Sequence, residues 1–341
     1  MDSNNVDAAK GCTNNHQSTP PTEPILVEAR PECGFQYPYY LSVPEGFEDA
    51  EQRPILVEPH NVDGPIECFS EHLDLARQRI EGGSGRRIAD ELGSPFLIPV
   101  FPRPFEEPVD WTHLIHMLDA ETMQIEDGPL ARVDLQLLSM VDDARKRLAD
   151  WGCTVDEDVM LNGFSSSGAF VNRFVALHPD RICSVSAGGT NGLLILPRTR
   201  AEVRVVGERV LEYPVGVANV EELTGEPFDL EAFCAVDQFI YMGADDDKDA
   251  LLYPDAWTDP ELRASAILVY GEDIHEERFP HCQSVYEDAG VNAIFRVYEN
   301  VGHTPKPAES DIVEFHERSL AGEDITSIPP EPGHRDCRGL E

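Results

Sequence analysis

Short apolar runs recur along the chain, separated by longer stretches in which apolar positions return every three or four residues. YYLSV (39–43), ILV (55–57), FLIPVF (96–101), VML (159–161), ICSVSA (182–187), FIYM (239–242) and IFRVY (294–298) have the length and residue content of strands. Several are apolar at consecutive rather than alternate positions, which predicts burial on both faces of a sheet. Leu137, Val141, Ala144, Leu148 and Trp151 follow the spacing of one helix face just before VML. Phe170, Phe174 and Leu177 do so just after it, and Pro179 stops that helix. Strands alternating with helices predict an α/β domain: a mostly parallel central sheet with helices on both faces.

The regular alternation spans residues 24–322. Residues 1–23, rich in Asn, Thr and Pro and without periodicity, read as a flexible arm, and 323–341 as a loose tail. Residues 199–235 break the rhythm with an acidic stretch, expected to be a small insertion above the sheet and a possible cap over a site. No run approaches the ~20 apolar residues of a membrane span. The opening MDSNNVDAAK has neither a basic nor an apolar leader region, so a cytoplasmic protein is expected.

Charge changes this picture more than composition does. The 341 residues carry 64 acidic and 26 basic side chains, a net −38, with only four lysines: Lys10, Lys146, Lys248 and Lys306. Such a surface repels itself in dilute buffer. Molar salt shortens the screening length to roughly 3 Å and removes that cost. Together, the spread of acidic residues along the whole chain and the scarcity of lysine resemble the proteins of salt-accumulating halophiles. Nucleic acid is disfavoured as a partner, because binding phosphates needs a basic face. The eight cysteines are scattered, none in a CxxC pair, and are expected to be reduced.

Chemistry is sought where ligands bind an open parallel sheet, beyond the carboxyl ends of its strands. VML is followed by Asn162-Gly163-Phe164-Ser165-Ser166-Ser167-Gly168 and then by a helix. This is close to G-x-S-x-G, a sharp strand-to-helix turn that lifts a serine hydroxyl above the sheet. Only Ser165 has the glycine two residues earlier, and Ser167 stands where the pattern has its second glycine. A serine cluster capping the helix is the structural alternative. FIYM is followed by Gly243-Ala244-Asp245-Asp246-Asp247-Lys248-Asp249, whose carboxylates either orient a histidine or form a solvated acidic loop. After IFRVY, Gly302-His303 puts a histidine where a general base would stand, a surface or structural role being the alternative.

Ser, Asp and His, in that order and each on a loop after a strand, resemble the α/β-hydrolase superfamily over residues 37–318, nearest its esterase, polyhydroxyalkanoate-depolymerase-like and dienelactone-hydrolase-like branches. The resemblance implies hydrolysis of a small-molecule ester through an acyl-serine, with Ser165 as nucleophile, His303 as base and Asp246 orienting it, and without a cofactor or metal. Asp245 and Asp247 are the alternatives for the acid. It also implies an oxyanion hole from the backbone N–H of Ser166 and one from the loop after ILV, at Asn61, with Val62 next in order. A peptidase or acyltransferase on the same scaffold shares the acyl-enzyme, and a hydrolase-like fold reused for binding is the non-enzymatic rival.

His60 is expected to pack against Pro59 and the sheet. Other features carry less. GGSGRR (82–87) lacks the final small residue of a dinucleotide fingerprint and follows a helical pattern. His113 and His116 lack a third metal ligand in the sequence. Phe101, Phe105 and Trp111 are candidates to line an acyl pocket or simply to pack.

Overall fold

The computed structural model describes residues 19–47, 52–104, 115–203, 207–252, 257, 259–328 and 334–336. Eleven strands are present among them: β1 (Ile25–Val27), β2 (Tyr39–Ser42), β3 (Leu56–Val57), β4 (Phe96–Pro99), β5 (Val159–Phe164), β6 (Ile182–Gly188), β7 (Arg200–Val203), β8 (Gly207–Val210), β9 (Asp237–Gly243), β10 (Ala293–Tyr298) and β11 (His334–Asp336). Nine form one sheet in the order β1-β2-β4-β3-β5-β6-β9-β10-β11, and β7 and β8 pair separately as an antiparallel hairpin. The centre, from β4 through β3, β5, β6 and β9 to β10, is parallel. The pairs β1–β2, β2–β4 and β10–β11 are antiparallel.

Ten helices accompany them: α1 (Phe69–Gly82), α2 (Ser84–Leu92), α3 (Ala120–Met123), α4 (Val133–Asp150), α5 (Ser166–Leu177), α6 (Val220–Thr224), α7 (Leu230–Ala235), α8 (Pro260–Tyr270), α9 (Phe279–Ala289) and α10 (Glu309–Leu320). They divide the interior into two apolar layers. One holds Ala76 and Ile80 of α1, Ile88 and Leu92 of α2, and Ile312 and Phe315 of α10. The other holds Leu137, Val141, Ala144 and Leu148 of α4, Phe170 and Phe174 of α5, and Phe279 and Val285 of α9.

The central strands send alternate side chains into each layer. Val159 and Leu161 of β5 enter one and Met160 the other; Ile240 and Met242 of β9 oppose Phe239 and Tyr241. Because both faces are apolar and covered, these strands read in sequence as continuous apolar runs.

Residues 199–235, expected to be an insertion, contain the β7–β8 hairpin with α6 and α7. The segment expected to be a loose tail is in part docked. A turn at Ile325–Ser327 buries Ile325 and Ile328 in the α10 layer, Arg296 donates to the Ile328 carbonyl at 3.1 Å, and β11 pairs with β10. Two isoleucines and an otherwise open strand edge explain the docking. GGSGRR lies at the junction of α1 and α2, where Gly83 separates two helices. The six described cysteines form no disulfide with one another.

Candidate active site

Position 165 lies where β5 ends and α5 begins, and there the backbone turns sharply. Ser165 has φ 61° and ψ −124°, a conformation that L-residues rarely adopt. The surrounding backbone determines it. The Ser165 N–H donates to the Gly188 carbonyl of the neighbouring β6 at 2.9 Å, and its carbonyl accepts from Ala169 N–H at 3.0 Å. A Cβ at Gly163 would stand 2.3 Å from the Ser167 carbonyl oxygen, so only glycine lets the chain fold back this closely.

Ser167 and Gly168 divide a task that the sequence pattern assigns to one glycine. The Ser167 hydroxyl bridges both polar groups of Phe164, accepting from its N–H at 3.0 Å and donating to its carbonyl at 2.9 Å. Gly168 is the point of close helix–strand approach, where a Cβ would meet the Gly188 carbonyl oxygen at 2.4 Å. Asn61 adds a third hydrogen bond to the turn, its side-chain amide donating to the Phe164 carbonyl at 3.1 Å.

The acid and histidine loops meet across the ends of β9 and β10. His303 Nδ1 lies 2.7 Å from Asp246 Oδ2. A carboxylate only accepts, so Nδ1 carries the proton and Nε2 is left basic. Asp246 has a fully buried side chain, whereas the His303 ring is 21% exposed. Burial pushes the Asp246 carboxyl up. Hydrogen bonds from His303, the Lys248 N–H (3.1 Å) and Asn191 outweigh it and hold the group below the usual carboxylate range. Asp245 and Asp247 are exposed. Phe164 packs on the His303 ring at 4.7 Å between centroids.

Ser165 and His303 open into a shared cavity of about 390 Å³, whose walls include Asn61, Val62, Arg103 and Thr190. The backbone N–H groups of Ser166, Asn61 and Val62 donate to no acceptor among the described residues. Ser166 is also the first residue of α5, where helix N–H groups and the helix dipole favour negative charge. Such an arrangement suits attack on a carbonyl, with proton transfer through an imidazole and the developing oxyanion facing amide donors.

Three further groups were not legible in the sequence. Asn191, at φ 52°, donates to the Lys248 carbonyl at 2.6 Å and so ties the loop after β6 to the acid loop. Asp249 of that loop is held by the buried Arg278 through bonds of 2.6 and 3.0 Å. Beneath the turn, Glu58 accepts from Asn162, Asn162 accepts from Ser186 at 2.7 Å, and His316 lies against Ser184 and Ser186. The only sequence signal for the first was GGTNG directly after the β6 run.

His60 is buried, but its neighbours are His72 and His116, with ring centroids 5.6 and 5.5 Å away. Burial lowers the His60 and His116 pKa values to about 2 and about 3, so both rings are neutral. His116 Nε2 donates to the Phe101 carbonyl at 2.8 Å. Among the described residues, no group of three His, Cys, Asp or Glu could hold a metal ion. Phe101 is buried in the core rather than lining the cavity. Phe105, Trp111 and His113 lie outside the described residues. No described residue of 199–235 lines the cavity, and no described helix is long and apolar enough to cross a membrane.

No protein-family model and no curated protein matches the chain. Among solved structures it is similar to poly(aspartic acid) hydrolase-1 from Sphingomonas sp. KT-1, at 18% identity over 87% of this chain and 98% of that one, with TM-score 0.51. It is also similar to LpqC, a poly(3-hydroxybutyrate) depolymerase from Bordetella parapertussis, at 17% identity over 92% of each chain, with TM-score 0.52. Together with the strand order, these likenesses show that the chain has the α/β-hydrolase fold.

Proposed function

We propose that this protein is a serine hydrolase that cleaves a carboxylic ester of a small molecule through an acyl-serine intermediate. The observation that carries the reading is the strained Ser165, which shares one cavity with a histidine whose far nitrogen is bound to a buried carboxylate. The names of the two structural neighbours, a hydrolase and a depolymerase, agree with it.

In this mechanism His303 Nε2 takes the Ser165 proton as Oγ attacks the ester carbonyl. Negative charge passes to the carbonyl oxygen, opposite the N–H of Ser166 and of Asn61 or Val62. Asp246 remains ionised, fixes the tautomer and stabilises the imidazolium. That imidazolium protonates the departing alkoxide, and the alcohol leaves an acyl-Ser165. Water, deprotonated by His303, then attacks the acyl group; the acid departs and Ser165 recovers its proton. Every step uses groups of this chain and water alone.

A fluorophosphonate probe tests the nucleophile, and peptide mass spectrometry of the labelled protein should place the adduct on Ser165. Ser165→Ala should abolish both labelling and ester turnover while keeping the fold. An adduct elsewhere, or wild-type turnover by the variant, would overturn the assignment.

A further inference from the structure

We propose that Arg79 is a positioning residue for the oxyanion hole: by holding the Asn61 carbonyl, it aims the Val62 N–H at the ester oxygen on which negative charge develops. The inference rests on the proposed hydrolysis at Ser165 and names which of the two loop amides serves it.

The Asn61 carbonyl and the Val62 N–H belong to one peptide unit. Among the described residues only Tyr213–Pro214 is cis, so this unit is trans and planar, and its C=O and N–H point in opposite directions. Fixing the carbonyl therefore fixes the amide. Arg79, on α1, donates from Nη2 to the Asn61 carbonyl at 2.9 Å. It does so from behind the site, where Arg79 lines a second cavity of about 220 Å³ together with Glu58, Asn162 and Phe164. Val62 lines the cavity of Ser165 and His303 and not the second one, whereas Asn61 stands in the walls of both. With the carbonyl drawn toward Arg79, the Val62 N–H faces the other way, toward Ser165. It donates to no acceptor among the described residues.

Other contacts keep this peptide from turning over. The Asn61 side chain donates to the Phe164 carbonyl at 3.1 Å, which pins the loop to the turn that carries Ser165. The Val62 carbonyl accepts a longer bond, 3.4 Å, from Arg103. The peptide unit that carries the Asn61 N–H has no such hold, since the His60 carbonyl accepts no hydrogen bond among the described residues.

Arg79 is committed to this carbonyl in a chain with 64 acidic side chains, and it forms no ion pair among the described residues. Glu58, in the same cavity, accepts from Asn162, and Arg77 on the same helix pairs with Asp74 at 2.8 Å. A charged donor on a carbonyl makes a stronger hydrogen bond than a neutral one and polarises the peptide, so that its N–H becomes a better donor. The charged transition state gains more from that than the neutral ester does, so the effect falls on kcat.

Arg79→Met removes the donor and keeps an apolar stem. Deleting an oxyanion donor costs about 100- to 1000-fold in kcat; here the amide stays and only its aim loosens, so a loss of about tenfold is expected, with KM for p-nitrophenyl acetate unchanged. Arg79→Lys should restore most of the rate, because one hydrogen bond is made and an ammonium can replace it. Arg77→Met removes the same charge from the same helix and should match wild type. p-Nitrophenyl thionoacetate separates aim from general damage, because sulfur accepts hydrogen bonds more weakly than oxygen. Arg79→Met should lower the oxygen-to-sulfur ratio of kcat/KM, whereas displacement of Ser165 would lower both substrates alike. A crystal structure of the wild-type fluorophosphonate adduct needs no variant: the phosphonyl oxygen should lie about 2.7–3.1 Å from the nitrogens of both Ser166 and Val62.

An unmoved oxygen-to-sulfur ratio in a folded Arg79→Met protein overturns the role of Arg79. A phosphonyl oxygen bound by the Asn61 N–H in place of Val62 overturns the choice of amide and the inference with it. Absence of both labelling and ester turnover in the wild-type protein, by contrast, overturns the hydrolysis reading itself.

Discussion

Gly163→Ala is the most direct test of how the turn at Ser165 is made. The added methyl would lie 2.3 Å from the Ser167 carbonyl oxygen, 2.6 Å from its carbon and 2.9 Å from the Gly168 nitrogen, whereas real Cβ contacts essentially never fall below 3.0 Å. All three atoms are backbone in the first turn of α5, so no side-chain rotation relieves the clash. The strand and helix must separate by about 0.7 Å, and Ser165 and the Ser166 N–H sit between them. Misplacing a reacting group by roughly 1 Å costs on the order of 100-fold in rate. Overpacking also destabilises by about 1–3 kcal/mol, which lowers Tm by only a few degrees per kcal/mol in a domain of this size.

The expected signature is therefore a folded protein with a near-normal melting curve and about 100-fold lower kcat/KM. Initial rates on p-nitrophenyl acetate, fluorophosphonate labelling rates and thermal melts measure the two effects separately. Gly82→Ala is the control, because nothing lies within 4 Å of its Cβ position at the end of α1; rates should match wild type. A folded Gly163→Ala protein with wild-type kcat/KM would refute the claim that this glycine positions Ser165 as the proposed nucleophile.

Two further outcomes concern stability. His60, His116 and His316 are buried as neutral rings, with pKa values lowered by burial to about 2, 3 and 3. In the unfolded chain each binds a proton near pH 6.5, so their full contribution is present above that pH and is lost as pH falls from about 6.5 toward 3. Each ring then costs about 1.4 kcal/mol per pH unit, roughly 4 for the three together; urea unfolding midpoints that stay flat between pH 6.5 and 5 would contradict this. The net charge of −38 should make Tm rise as KCl increases from dilute to molar, and a flat or falling curve in calorimetry would contradict salt adaptation.

Much of this architecture is local enough to be written in the chain. Apolar runs such as FIYM mark strands buried on both faces, and the three-and-four spacing from Leu137 to Leu148 marks a helix, because burial imposes those periods wherever the element lies. Candidate site residues were legible for the same reason: Ser165, Asp246 and His303 each follow a readable strand. The marginal elements were not legible. β1 and β11 have three residues each, and β11 pairs only because β10 leaves an edge and Ile325 and Ile328 find a core.

What the tertiary structure decided is which groups meet. Asp246 and His303 are 57 residues apart, and only the parallel pairing of β9 with β10 sets their loops side by side. The resemblance points to Asp246 within DDDKD but leaves Asp245 and Asp247 open; in the fold, hydrogen bonds from His303, Lys248 and Asn191 set the buried Asp246 apart from these exposed neighbours. Glycine spacing singles out Ser165 among the three serines of 165–167, but what each one contacts is not in the spacing. The fold makes one a strained turn, one a helix start with a free N–H, and one a clamp on Phe164, because each meets a different part of the backbone around it. Periodicity reports how deeply an element is buried, but contacts between loops depend on strand order, which no local period contains.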